Sequence, residues 1–307
     1  MITTIPEVRT YVSMMNDITF DRLSPLIQGT RSKYFEAWAG NPLINALLDF
    51  KNSIEPIEKE AYNKMVGAFC NALIFEYTPF GEVLIGNSGI TRTENQNVKT
   101  AFAGQIKNLN ESLQDSAFLQ IEALIELLYA NPTLFPLWET APGYVSAANA
   151  KMLPGRASEY QKYQTMHRPN ITFLTLTPEI IKAQDLYLVS NFGSVLVKEM
   201  CASTASLTAK KADLKAFMLK ALVCFVNHKV LANGSFTLGP DGLRVIEHNA
   251  TSSYIPSKAM NGNGISAYNY ERDGYLFIEQ AKKFILENPT EFPTNQEVID
   301  TPSKFWV

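Results

Sequence analysis

Hydrolytic, redox or metal chemistry in this chain would have to start from three histidines and three cysteines. His167, His228 and His248 share no metal-ligand spacing with one another or with Cys70, Cys201 or Cys224. His248 follows Glu247, a pair that becomes a general base only where a pocket surrounds it. His228 interrupts an apolar helical run, as a packed core histidine would. Cys70 and Cys224 lie inside apolar helical patterns and Cys201 ends one, which reads as reduced, buried thiols in a cytosolic compartment. Residues 262–267 spell GNGISA, a literal G-x-G-x-x-A, but no apolar strand precedes it and no βαβ alternation follows. We read it as a flexible approach to a helix. Walker A, G-x-S-x-G and H-E-x-x-H patterns are absent. Glu55, Glu58 and Glu60 cluster where a helix begins, which the helix dipole accounts for. The expectation is a protein with no catalytic, cofactor-binding or metal-binding residues, and not an enzyme.

What remains are residues suited to touching a neighbour. Phe305 and Trp306 are large apolar groups in the tail TPSKFWV, and aromatics of this kind anchor interfaces. Trp138 closes an earlier FPLW run, and Gly86, Gly89, Ile90 and Arg92 surround one G-x-x-G turn while Gly239 and Gly242 form another. These nine are the interface candidates. Composition agrees with a folded protein: 307 residues, 46% hydrophobic and 19% charged, the length of two domains or of one made twice. A formal net charge of -3 offers no sequence-wide grip on nucleic acid or anionic lipid. No apolar run reaches a membrane span, and residues 1–10 lack the pattern of a signal peptide. The small basic groups Arg31 with Lys33, Lys210 with Lys211 and Lys282 with Lys283 read as solvated helix surface.

The elements that would position these residues occur twice. Residues 18–25 read ITFDRLSP and residues 171–178 read ITFLTLTP, a shift of 153. Held without a gap, that shift gives 15 identities over the 73 positions from 18 to 90, glycines and prolines included. NPTLFP from Asn131 is answered by NPTEFP from Asn288, a shift of 157, so four residues enter between the two points. In each copy Ser24 or Thr177 reads as an N-cap, with Pro25 or Pro178 at the first helical position. That helix stops near Gly40 or Gly193, and a short second helix follows. A third helix, about 56–77 and 209–231, is apolar on more than one face and reads as the buried centre of its unit. Residues 82–92 and 235–245 then read as hairpins about G-x-x-G, expected to protrude for want of strand partners. A fourth helix closes each copy, about 98–129 and 266–286. Residues 139–170, short of large aliphatics and holding three prolines, read as a linker. The domains are therefore 1–138, a linker at 139–170, and 171–307.

Gly89-Ile90-Thr91-Arg92-Thr93-Glu94, then Lys99-Thr100-Ala101-Phe102 with Gln105, then Phe135-Pro136-Leu137-Trp138, resembles an uncharacterised family from tailed bacteriophages and prophages of Bacteroidetes, crAss-like phages included. The unit is also similar to phage head-to-tail connector proteins, the head-completion adaptors that form a ring beneath the portal. The resemblance implies a mainly α fold, a tandem duplication of a four-helix adaptor-like unit with a protruding β-hairpin between helices 3 and 4. It implies a virion structural protein, assembled in the bacterial host cytoplasm, in a homo-oligomeric ring of twelve copies. Its partners would be the portal protein and neighbouring tail or ring proteins. Genomic DNA would pass through the lumen without sequence-specific binding, and no cofactor and no membrane would be involved. Common adaptors carry one unit, and the duplication is a departure. Another assembly protein of the same phages, acting in tail completion, on the capsid or as a scaffold, is the alternative reading; a small-molecule binder or enzyme is the third.

Overall fold

The computed structural model describes residues 4–13, 18–81, 83–86, 89–92, 103–144, 152–202, 206–233, 236–239, 242–245 and 257–293. The chain is mainly helical and divides into two compact units, Met1–Tyr144 and Val145–Val307.

The first unit opens with α1 (Ile5–Tyr11), whose Val8 is fully buried. Then α2 (Phe20–Arg31) runs through a π-helical stretch, Ser32–Glu36, into α3 (Ala37–Asp49). After a 3-10 turn, Phe50–Asn52, comes α4 (Pro56–Gly81). Met65 to Ile74 is buried at every position, because the middle of α4 is surrounded and has no solvent face to offer. Strands β1 (Val83–Gly86) and β2 (Gly89–Arg92) pair antiparallel with Gly86 opposite Gly89. The closing helix α5 (Ala103–Ala130) lays Leu113, Ala117, Ile121, Leu124 and Leu128 along α4, a stripe at helical spacing that is wholly buried. Gly67 of α4 makes room for it: a Cβ there would land on the Gln120 amide.

The second unit begins with α6 (Ala157–Gln161) and α7 (Pro169–Ala183), followed by a π-helical stretch, Gln184–Val189, and the short helices α8 (Ser190–Phe192) and α9 (Ser194–Met200). Its central helix is α10 (Ala209–Ala232), its hairpin β3 (Phe236–Gly239) and β4 (Gly242–Val245), and its closing helix α11 (Ser257–Glu287). Gly239 stands opposite Gly242, as Gly86 does opposite Gly89. At a shift of 153, Pro56 meets Ala209, Val83 meets Phe236 and Gly89 meets Gly242, each the first residue of its element. The π-helical stretches fall in register too, and so do the glycines after them: Gly40 has φ 68° and Gly193 φ 79°, both with ψ near 155°. That left-handed, extended backbone is open to glycine and strained for other residues, so the reversal after the π stretch is tied to this residue type.

Three expectations need correction here. Neither first helix is capped at Ser24 or Thr177: α2 begins at Phe20 and α7 at Pro169, leaving Pro25 and Pro178 inside. Pro25 cannot reach the Asp21 carbonyl, and the Ser24 hydroxyl donates to it instead at 3.3 Å. The second correction is the linker. Met152, Leu153, Ala157, Tyr160 and Met166 are buried in the second unit's core, so much of 139–170 is core and not spacer. Residues 262–267 likewise lie within α11 rather than leading to it.

Candidate functional site

The nine interface candidates separate when placed on the fold. Trp138 is fully buried and leaves the set. It sits in the 3-10 turn Pro136–Thr140, enclosed by the rings of Tyr129 at 5.1 Å, Tyr144 at 5.7 Å and Trp38 at 6.1 Å, all close to perpendicular. Trp38 donates its indole N–H to the Tyr34 carbonyl at 2.7 Å. The Gly143 amide donates to the Trp38 carbonyl at 2.7 Å, and a Cβ at Gly143 would press on Trp38 at 2.7–3.1 Å. Phe135 and Trp138 of the FPLW run are therefore the floor of the first core, while Pro136 and Leu137 are exposed.

Gly242 also leaves the set, and with it the protrusion of the second hairpin. The Leu243 amide donates to the Thr165 carbonyl at 2.9 Å and the His167 amide donates to the Leu243 carbonyl at 3.0 Å. Met166 thus bridges Leu243 in parallel, a single-residue bridge that braces the hairpin from within its own unit. Leu243 is fully buried. Gly242 has φ 103°, and a Cβ there would strike the Thr165 carbonyl, so its backbone angle and the close approach both demand glycine. Sequence reading missed the partner because Thr165 to His167 lies in the stretch taken for a linker. Gly86, Gly89, Ile90 and Arg92 form the tip and second strand of the first hairpin, and Gly239 the tip of the second. Phe305 and Trp306 lie outside the described residues, as do His248 and the polar loop 93–100.

A buried polar cluster behind the second hairpin was not foreseen. Tyr160 donates its hydroxyl to Asn227 Oδ1 at 2.8 Å, Asn227 Nδ2 donates to Gln164 Oε1 at 3.1 Å, and Tyr270 donates to the same oxygen at 2.7 Å. Asn227 and Tyr160 are fully buried. The cluster joins α6, α10 and α11 and fixes Gln164, the residue just before the segment that pairs with β4. Asn227 was the available signal: an amide inside a helix apolar on several faces needs partners. Burial pushes the Tyr160 hydroxyl well above its usual range and Tyr270 upward as well, so both stay protonated donors.

The remaining chemistry-bearing groups are quiet. Cys70 and Cys201 are buried, Cys224 half-buried, and all three are free thiols. Burial raises Cys70 and Cys224 to about 12 and Cys201 to about 11. His228 is half-buried with Nε2 4.0 Å from Glu271. Among the described residues no group of three His, Cys, Asp or Glu could hold a metal ion, and no helix is long and apolar enough to cross a membrane. Glu58 at the head of α4 accepts from the Ser53 hydroxyl at 2.5 Å, and Glu60 pairs with Lys64 at 3.1 Å. Of the basic groups, Lys33, Lys210 and Lys283 are exposed as expected, whereas Lys282 is buried beside Glu279 and Lys211 is half-buried on Glu199.

The model of a family of unknown function (DUF6712) matches residues 28–148 and 184–297. The chain belongs to this family. Both DUF6712 segments take in a π-helical stretch, the glycine of positive φ, the central helix, the hairpin and the closing helix. Neither includes α6 or the segment Thr165 to His167 that pairs with β4. Neither curated proteins nor solved structures give a match.

Proposed function

We propose that the two units descend from one, and that the chain is a structural ring component of a tailed phage virion, a head-to-tail connector that joins portal to tail. The observation that carries this reading is the order of elements: helix, π stretch, short helix, central helix, hairpin, closing helix, the same in both units, with the start of the central helix and the hairpin at a shift of 153. Apart from the π stretch, that order is the one on which the resemblance to phage adaptors rests. The hairpin is part of the reading, the first one as the element free to meet a neighbour and the second as one already braced by its own unit. Quiet thiols and a core filled by aromatics suit a part whose work is contact and not turnover. A net charge of -3 suits a channel wall that DNA slides past. In this reading twelve copies close a ring against the portal and adjacent tail proteins, in the virion, after assembly in the host cytoplasm.

The test is to locate the chain. Mature particles should contain it at a fixed copy number at the head-to-tail vertex, visible as added density at that vertex when the chain carries a fused tag. Presence in immature particles with loss on maturation would replace this reading by that of a scaffold. Absence from both would end it.

A further inference from the structure

At one end of the first unit, apolar side chains stand in solvent. Phe50 and Phe135 meet edge-on with centroids 6.0 Å apart, which brings the turn before α4 and the turn after α5 to the same place. There Ile54 is 96% exposed, Leu137 39% and Leu134 36%. The corresponding end of the second unit is closed by polar groups. Glu291, which stands where Leu134 does at the shift of 157, accepts from the Thr208 hydroxyl at 2.6 Å and lies 3.9 Å from Lys211. Lys211 also holds Glu199 at 2.6 Å, and Lys210 donates to Asn288. Leu207, the counterpart of Ile54, packs against the second core. One fold therefore seals this end in its second copy and leaves it apolar in its first. Clustered exposed aliphatics that a closely related unit has replaced by a polar clamp mark a surface meant to be covered.

The chain also carries something of the right chemistry to cover it. The described part of the second unit ends at Pro293, two residues past Glu291, so the chain leaves that unit at the end which corresponds to the apolar one. Fourteen residues follow, 294–307, closing on Phe305, Trp306 and Val307. At about 3.3 Å per residue they can span up to about 45 Å. A contact that takes the departing segment of one copy to the open end of the next is heterologous, the kind of contact that builds a ring where its rotation closes.

We propose that Phe305 and Trp306 of one copy seat on the Ile54, Leu134 and Leu137 end of a second copy. The proposal rests on the reading of the chain as a ring subunit. Its test uses particles whose full-length chain carries a photoreactive phenylalanine analogue in place of Ile54. Irradiation should give a ladder of covalent multimers in which position 54 is joined to a peptide from 294–307. The ladder should vanish with Phe305→Ala and Trp306→Ala. It should vanish too with Leu134→Glu and Leu137→Thr, which install the second unit's own residues at exposed positions and leave the fold alone. In solution either pair should weaken self-association at least about thirtyfold. Cross-links confined within one chain, cross-links to a different protein, or a ladder that survives both pairs would overturn the proposal. So would particles that hold the chain and give no ladder, which leaves the ring reading standing; particles without the chain remove both.

Discussion

At the scale of single residues, the molecule spends its unusual side chains on packing. Trp138→Ala should cost about 3–5 kcal/mol of stability in urea unfolding, since it empties the space that Trp38, Tyr129 and Tyr144 enclose. An interface tryptophan would lose binding and keep its stability. Asn227→Ala leaves the Tyr160 hydroxyl buried without its acceptor, and should cost about 1–3 kcal/mol by the same measurement. Tyr160→Phe combined with Asn227→Ala should cost less than the two changes summed, the sign of a shared bond. The thiols give a pH signature. Cys70 and Cys224 ionise at about 12 in the fold and Cys201 at about 11, against 9.0 for an unburied thiol. Raised values favour the folded state while the thiols are protonated. This contribution is full below pH 9 and is lost as pH climbs towards 11 to 12, so the urea midpoint should fall across that window. Under native conditions at pH 8 all three should react slowly with a thiol reagent, and promptly once the chain is denatured.

At the scale of elements, what was legible in the sequence was whatever both units keep by the same means. The starts of α4 and α10 and the strands of both hairpins follow from the shift of 153, because their glycines and apolar runs stay in register. The beginnings of α2 and α7 did not follow, because a serine or threonine before proline looks like a cap wherever it stands. Inside α2 the Ser24 hydroxyl makes the proline tolerable by taking the carbonyl that it strands, and that bond depends on the helix already being there. The π-helical stretches leave no compositional mark either. Their effect is on direction: Tyr34 and Tyr187 occupy equivalent places, and each turns toward the central helix of its unit. Tyr34 donates to Glu76 at 2.8 Å, whereas Tyr187 lies under Lys229, the residue at the position of Glu76. The two tyrosines thus meet opposite charges in different ways, one through its hydroxyl and the other through its ring face. The bridge beside β4 was hidden for a plainer reason, since one bridging residue leaves no β pattern in a stretch rich in proline and small residues. Gly242→Ala should break that pairing, since it brings both a strained φ and a clash with Thr165. We expect a loss of more than about 1 kcal/mol and faster amide exchange at His167 and Leu243, with the first unit unaffected.

At the scale of the whole molecule, the boundary between units is the point on which structure and sequence differ most usefully. A cut after Tyr144 keeps each core with all its parts, and fragments 1–144 and 145–307 should each unfold cooperatively, as followed by circular dichroism. A fragment starting at 171, where the sequence puts the second domain, lacks Leu153, Tyr160 and Met166 and the partner of β4. It should be markedly less stable than 145–307 and show weak near-ultraviolet dichroism. The pairing of Thr165 with Leu243 also has a consequence in time. These residues are 78 apart in the chain, and a ribosome at roughly 5–20 residues per second needs about 4–16 s to cover that distance. Throughout that interval the nascent segment around Leu153, Tyr160 and Met166 has been made and the elements that bury it have not. The first unit, by contrast, is complete as soon as its closing turn clears the exit tunnel. Newly made chain is therefore exposed to aggregation and to chaperones at the opening segment of the second unit, and that unit is the one that waits.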